Sequence, residues 1–226
     1  MRLLVKIIYH CIYAVRVVIL VSRLLSLLLL FLGGDFLKAL EQKILSEGTV
    51  LGDEILKVGS FLNQQLDVDF LLEMGREIEN IYKDTEITKI LTIEASGIAV
   101  AVAAAAVMHK KVVFEKKNKT SNVSGEVYSA NVHSFTHGTE YLITVPKEYI
   151  TDNDKVLIID DFLANGKALI GLIDIVKQAG AEVVGCTCAI EKGFQGGGDE
   201  LRRNGYRVES LAVIEKMSTT GIEFRK

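Results

Sequence analysis

The sequence predicts an α/β fold, a mostly parallel central sheet with helices on both faces. Three observations predict it. Short apolar runs such as "ITKILTI", "KVLIID" and "EVVGCTCAI" read as buried strands. Stretches with apolar residues three and four apart alternate with them and read as helices. Strand and helix text in alternation is the mark of parallel strands joined by helical crossovers. At 226 residues the chain suffices for one such domain with a substantial core.

The elements follow in order. Leu37 to Glu47 reads as a short helix that stops at Gly48. "TVLGDEILKVGSFLNQQLD" is hairpin-like or extended text. Val68 to Asp84 has helical spacing. "ITKILTIEAS" is a buried strand, followed at Gly97 by an alanine-rich helix to about Met108. "KVVFEKK" is the next strand. The polar text from Asn118 to Glu140 reads as a long loop or flexible hairpin. Tyr141 to Val145 is a strand, and so is "DKVLIIDDF". "GKALIGLIDIVKQAG" is an amphipathic helix, "EVVGCTCAIEK" a strand and "DELRRNG" a short helix. "YRVESLAVIEKM" closes the sheet. No repeat, linker or second globular domain is legible.

Composition narrows the function classes. The net charge of −3 offers no general basic field for nucleic acid. Three cysteines without framework spacing fit a reducing compartment. Cys186 and Cys188 read as packed core thiols, because no further Cys or His cluster joins them. His133 and His137 have helical metal spacing, but the text around them is not helical.

Hydrophobic residues make up 49% of the chain and mean hydropathy is +0.29, with most of the excess in the first 32 residues. Arg16 and Arg23 interrupt the apolar core that a signal peptide needs. The longest uncharged run there, Leu24 to Gly34, is about half of a membrane span. Met1 to Phe36 is therefore read as an extension outside the functional protein, with an anchor or membrane-surface helix, and then a signal peptide, as the alternatives. The functional domain is expected at residues 37–226.

One stretch carries chemistry. In "VLIIDDFLANGKALIGLIDIVKQAG" a buried strand ends in Asp160 and Asp161, a loop with Gly166 follows, and then a helix. Ligands of open α/β sheets sit beyond the carboxyl ends of the strands. The first N–H groups of a helix have no partner within it, and with the helix dipole they form an anion site. Carboxylates beside such a cradle suit a ribose phosphate, since they accept from sugar hydroxyls or hold Mg²⁺. A P-loop reading fails because no G-x-x-x-x-G-K-[ST] occurs, and a dinucleotide reading fails for want of G-x-G-x-x-G.

"VLIIDDFLANGKA" resembles the phosphoribosyl-pyrophosphate (PRPP) motif of the type I phosphoribosyltransferases. From about Leu37 to the C-terminus, "EGTVLGDEILKVGSFLNQQLD", "ITKILTIEASGIA", "VYSANVHSFT", "IEKGFQ" and "DELRRNGYRVESLA" are similar to the bacterial xanthine-specific branch of that family. The resemblance implies a small hood region, a flexible lid loop and a homodimer. It implies purine salvage in the cytoplasm: xanthine plus PRPP gives XMP and diphosphate, with Mg²⁺ bound alongside PRPP and not directly by the protein. Nucleic acid is not an expected partner.

Residue by residue, the resemblance assigns Asp160 and Asp161 to the ribose hydroxyls and to the oxocarbenium-like sugar. Ala164, Asn165, Gly166, Lys167 and Ala168 would hold the 5-phosphate, with Lys167 acting through its backbone. Glu94, Ala95, Ser96 and Gly97 would face the diphosphate, in a loop that often contains a non-proline cis peptide. Lys192 would donate to the purine carbonyl, while Leu56 and Asn63 complete the xanthine pocket. Lys192 also speaks for a 6-oxo purine on chemical grounds, since a 6-amino group does not accept from an ammonium. The lid would run from Lys116 to His137, with Lys116, Lys117 and Lys119 near the diphosphate. Two alternatives stay open: a PRPP-sensing regulator without catalysis, and preference for guanine or hypoxanthine.

The chain departs from the family pattern at Val100, where proline is expected, and at "FQGGGDE". The extra glycines are expected to loosen the segment after Lys192 by roughly 0.5–1 kcal/mol each.

Overall fold

The structure is a computed structural model that describes residues 35–117, 125–133 and 140–226. The chain divides into Met1–Lys38 and Ala39–Lys226, and the second unit carries the fold. Residues 1–34 of the apolar extension, Lys119 and His137 lie outside the described residues. No helix among the described residues is long and apolar enough to cross a membrane.

Helix α1 (Asp35–Glu47) leads into a small antiparallel hairpin, β1 (Thr49–Leu51) and β2 (Ile55–Lys57). Helix α2 (Val68–Ile81) is capped by Asp67, whose Oδ1 accepts from the Phe70 N–H at 3.2 Å. The large sheet contains β3 (Lys89–Ile93), β4 (Lys111–Lys117), β5 (Val127–His133), β6 (Glu140–Pro146), β7 (Lys155–Leu163), β8 (Glu182–Lys192), β9 (Val208–Ser218) and β10 (Gly221–Phe224). Its order is β10-β9-β8-β7-β3-β4-β6-β5. The five inner strands from β9 to β4 run parallel, and β10, β6 and β5 add antiparallel edges. Helices α3 (Gly97–Met108), α4 (Lys167–Gln178) and α5 (Gly197–Arg203) complete the domain.

Strand β7 shows why the sheet reads as an apolar run. Successive side chains point to opposite faces. Val156 and Ile158 pack in the cluster that holds Leu172, Ile175 and Val176 of α4. Leu157 and Ile159 are fully buried too, on the other face. Helices α2 and α3 pack together closely enough that a Cβ on Gly75 would stand 2.6 Å from the Ala103 carbonyl. Val100 is fully buried and α3 runs unbroken, so valine fits where the family pattern has proline.

Three sequence expectations need correction. The polar text from Asn118 to Glu140 contains a full strand, β5. It pairs with β6 along its whole length, and Gln178 of α4 brackets Ser129, accepting from its N–H at 3.3 Å and donating to its carbonyl at 2.7 Å. Tertiary pairing overrides weak strand propensity there. Residues Gly59–Asn63 are not extended but form a single π turn that buries Phe61 and Leu62. The sheet does not end at β9, since β10 folds back onto it.

Candidate active site

The carboxyl ends of β3, β7 and β8 meet at one place. Asp160 is buried at the end of β7 and Asp161 follows, half-buried. The Asp161 N–H donates to Asp160 Oδ1 at 2.9 Å, which fixes the first carboxylate. Burial pushes the Asp161 carboxyl above the ordinary aspartate value. Hydrogen bonds from Asp160, from the Asp161 and Phe162 backbones and from the Asn63 amide oppose that shift. The π turn therefore aims Asn63 at Asp161.

The loop after β3 closes over this pair. Its Glu94–Ala95 peptide is cis. The Glu94 N–H donates to Oε1 of Glu115, a fully buried carboxylate on β4, at 3.2 Å. Gly97 opens α3 against Asp160: a Cβ there would stand 2.8 Å from Asp160 Oδ1 and 2.5 Å from Thr92 Oγ1. Only glycine lets the loop lie this close to the carboxylate.

The loop after β7 makes the second wall. Gly166 has φ of 78° and offers no capping side chain to α4. Lys167 is exposed, and its N–H donates to Asn165 Oδ1 at 3.2 Å. One of the donors expected for a phosphate is thus already bonded within the loop. The helix start otherwise presents backbone donors and the positive dipole end.

The glycines expected to loosen the segment after Lys192 do the reverse. The Gly197 N–H donates to the Ala164 carbonyl at 3.1 Å, and a Cβ on Gly197 would stand 2.4 Å from that same oxygen. A Cβ on Gly198 would stand 2.1 Å from Glu191 Oε1. Gly196 has φ of 76°, in the left-handed region. The run buttresses loop 164–168 by close backbone contact.

On the third side, Lys192 at the end of β8 donates to the Glu54 carbonyl at 2.7 Å and lies 5.6 Å from the Phe162 ring centre. Burial holds its ammonium below the ordinary lysine value. Behind it, Glu191 is fully buried and forked by Arg202, Nη1 to Oε1 at 2.9 Å and Nη2 to Oε2 at 2.7 Å. Leu56 lies on β2, in the hairpin whose Glu54 carbonyl accepts from Lys192, with its side chain buried near Gly48. Lys116 and Lys117 pair with Thr144 and Ile143 at the end of β4.

Sequence reasoning missed Phe162, Glu115 and the Glu191–Arg202 pair. The acid inside "KVVFEKK" was a usable signal, since a lone carboxylate in an apolar strand must find a buried partner.

A buried carboxylate beside a half-buried one, an uncapped helix start and a glycine-lined loop across from them stand on a type I phosphoribosyltransferase fold. The phosphoribosyl transferase domain family matches residues 65–220, and the chain belongs to that family. It is 50% identical over 190 residues to the xanthine phosphoribosyltransferase of Clostridioides difficile, which covers 84% of this chain and all of that protein. The Acinetobacter baumannii xanthine phosphoribosyltransferase is 49% identical over 188 residues, 83% of this chain and 98% of that one. Among solved structures, adenine phosphoribosyltransferase from Trypanosoma brucei superposes with a TM-score of 0.64 at 17% identity, covering 77% of this chain and 78% of that one, a likeness of fold.

Proposed function

We propose that this chain transfers the 5-phosphoribosyl group of PRPP to N9 of xanthine, giving XMP and diphosphate in purine salvage. The observation that carries the reading is the Asp160–Asp161 pair set between loop 94–97 and loop 164–168. Loop 164–168 takes the 5-phosphate through backbone N–H groups, and the loop at Glu94, Ala95, Ser96 and Gly97 takes the diphosphate. As the C1′ bond to diphosphate lengthens, positive charge grows on the sugar, and the two carboxylates stabilise it in place. Lys192 donates to the purine carbonyl, Phe162 lies beside the ring, and Asn63 reads the remaining edge, since an amide both donates and accepts.

Mg²⁺ fits this site. Asp160 and the half-buried Asp161 beside it are hard oxygen donors, and burial pushes the Asp161 carboxyl up, so a nearby cation would favour its charged form. Bound with PRPP, the ion would neutralise charge on the departing diphosphate. Among the described residues no cluster of three or more acidic, histidine or cysteine side chains is placed to hold a metal by itself.

The working form is a cytoplasmic homodimer comprising residues 37–226, with Met1 to Phe36 dispensable. Support for the dimer comes from α3, which is apolar on every side yet leaves Val102 half exposed. Its outer face, with Leu66 and Val68, lines an apolar groove of about 540 Å³ that reaches Ala95 and Ser96.

The test is product formation by the chain from Leu37, with Met in its place, given PRPP and Mg²⁺ and offered xanthine, guanine, hypoxanthine or adenine. Turnover with xanthine preferred, lost on Asp160→Asn with Asp161→Asn, is the expected result. PRPP binding without turnover on any base would mark a sensor. Light scattering on the same sample reports the dimer.

A further inference from the structure

The chain ends in an ion-pair network that reaches both halves of the site. After β10, the Arg225 N–H donates to the Val213 carbonyl at 2.8 Å. Its guanidinium meets Glu215 Oε2 at 2.8 Å and both oxygens of Asp199, at 3.0 and 3.2 Å. Asp199 Oδ1 also accepts from Arg202 Nη1 at 3.2 Å. Arg202 in turn forks onto Glu191 and donates from Nε to the Val208 carbonyl at 3.1 Å. The line Arg225–Asp199–Arg202–Glu191 is unbroken.

Three members of that line lie against parts of the site. Asp199 lies on α5, whose first residue, Gly197, is bonded to the phosphate loop at Ala164. Glu191 immediately precedes Lys192. Arg225 also lies over the turn that follows, since a Cβ on Gly193 would stand 2.9 Å from its Nη2. Isolated surface ion pairs contribute little, but forked pairs joined in a network are the exception. The Glu191 end is fully buried, so the network is anchored in the core.

We propose that Arg225 is a positioning residue: its grip on Asp199 seats α5 against the phosphate loop and, through Arg202 and Glu191, steadies Lys192. The C-terminal tail thereby sets the affinity for both substrates while touching neither. This rests on the phosphoribosyltransfer reading above.

The test compares Arg225→Ala, Arg225→Lys, Asp199→Ala and the Arg225→Ala/Asp199→Ala double variant. Lys216→Ala is the control, since it removes an exposed pair with Glu223 on the same β9–β10 hairpin. Expected for Arg225→Ala is a rise of roughly threefold to tenfold in KM for PRPP and for xanthine, with kcat within about twofold, and no further rise in the double variant. Arg225→Lys should recover part of the affinity, and Lys216→Ala should change nothing. Unchanged KM values, a fall confined to kcat, additive single effects or an equal effect of Lys216→Ala would each overturn the proposal. Should Arg225→Ala fail to fold, Arg225→Lys alone decides, by the same KM criterion. Calorimetric PRPP affinity is read alongside, so a chain that binds PRPP but does not turn over still tests the clasp separately from the reaction.

Discussion

The two loops proposed for the 5-phosphate and the diphosphate are built by opposite means. The phosphate loop is held by backbone lying on backbone: Gly197 on Ala164, with Gly166 in a left-handed conformation. The diphosphate loop is held by carboxylates: Glu115 accepts from the Glu94 N–H, and Gly97 lies against Asp160. The difference teaches where each loop tolerates change. A neighbour made of backbone cannot move aside for an added methyl group. A neighbour that is a carboxylate can shift, but here the carboxylate is Asp160 itself, so the shift is felt in the chemistry.

The largest effect should come from Gly97→Ala. The new Cβ must displace Asp160 Oδ1, and misplacement on the ångström scale costs about 100-fold in rate. Steady-state kinetics should show the fall in kcat with the fold retained. A wild-type kcat would mean that the loop can withdraw without disturbing Asp160. Gly197→Ala should come next. All three nearest atoms to its Cβ are backbone, so stability should drop by about 1–3 kcal/mol. PRPP affinity should fall about tenfold, or about 1.4 kcal/mol, with kcat less affected, as calorimetry and denaturant melts will report.

Glu115→Gln should be milder. The amide oxygen still accepts from Glu94, and exchanging a charged acceptor for a neutral one costs on the order of 1 kcal/mol. A loss as large as that of Gly97→Ala would show that the charge, and not the hydrogen bond, holds the diphosphate loop. The smallest effect concerns pH. Burial lowers the proton affinity of Lys192 in the fold, so over the window just below the ordinary lysine value the unfolded chain binds more protons. The contribution of Lys192 to stability then rises with pH. Lys192→Met should melt higher than wild type at neutral pH, with the gap closing as pH rises, while xanthine binding is lost. A gap independent of pH would show that the ammonium is not strained by burial.

How much of this was legible depended on whether an element is explained by its own residues. β3, β7, β8 and the helices after them bury apolar runs between two layers, and their text says so. Asp160 and Asp161 stood out because charge at the end of such a run needs a reason. β5 and β10 did not stand out, since their partners, β6 and β9, are what make them strands. The glycine run misled for a related reason: a missing side chain signals looseness until the neighbour that fills its place is known. Asn63 was legible as a polar residue near the base, but its turn toward Asp161 depends on the π turn, which spacing does not announce.

Cys186 and Cys188 have a practical consequence for anyone handling the protein. Both are fully buried on β8, between the two layers of helices, and the Cys186 thiol is pushed up to about 12 by burial. An alkylating reagent needs the thiolate in contact with solvent. In a chain begun at Leu37 these are the only cysteines, so their labelling clocks the opening of the central sheet. A ligand that closes the site should slow that clock in proportion to its occupancy, giving a binding assay that requires no turnover and no engineered probe.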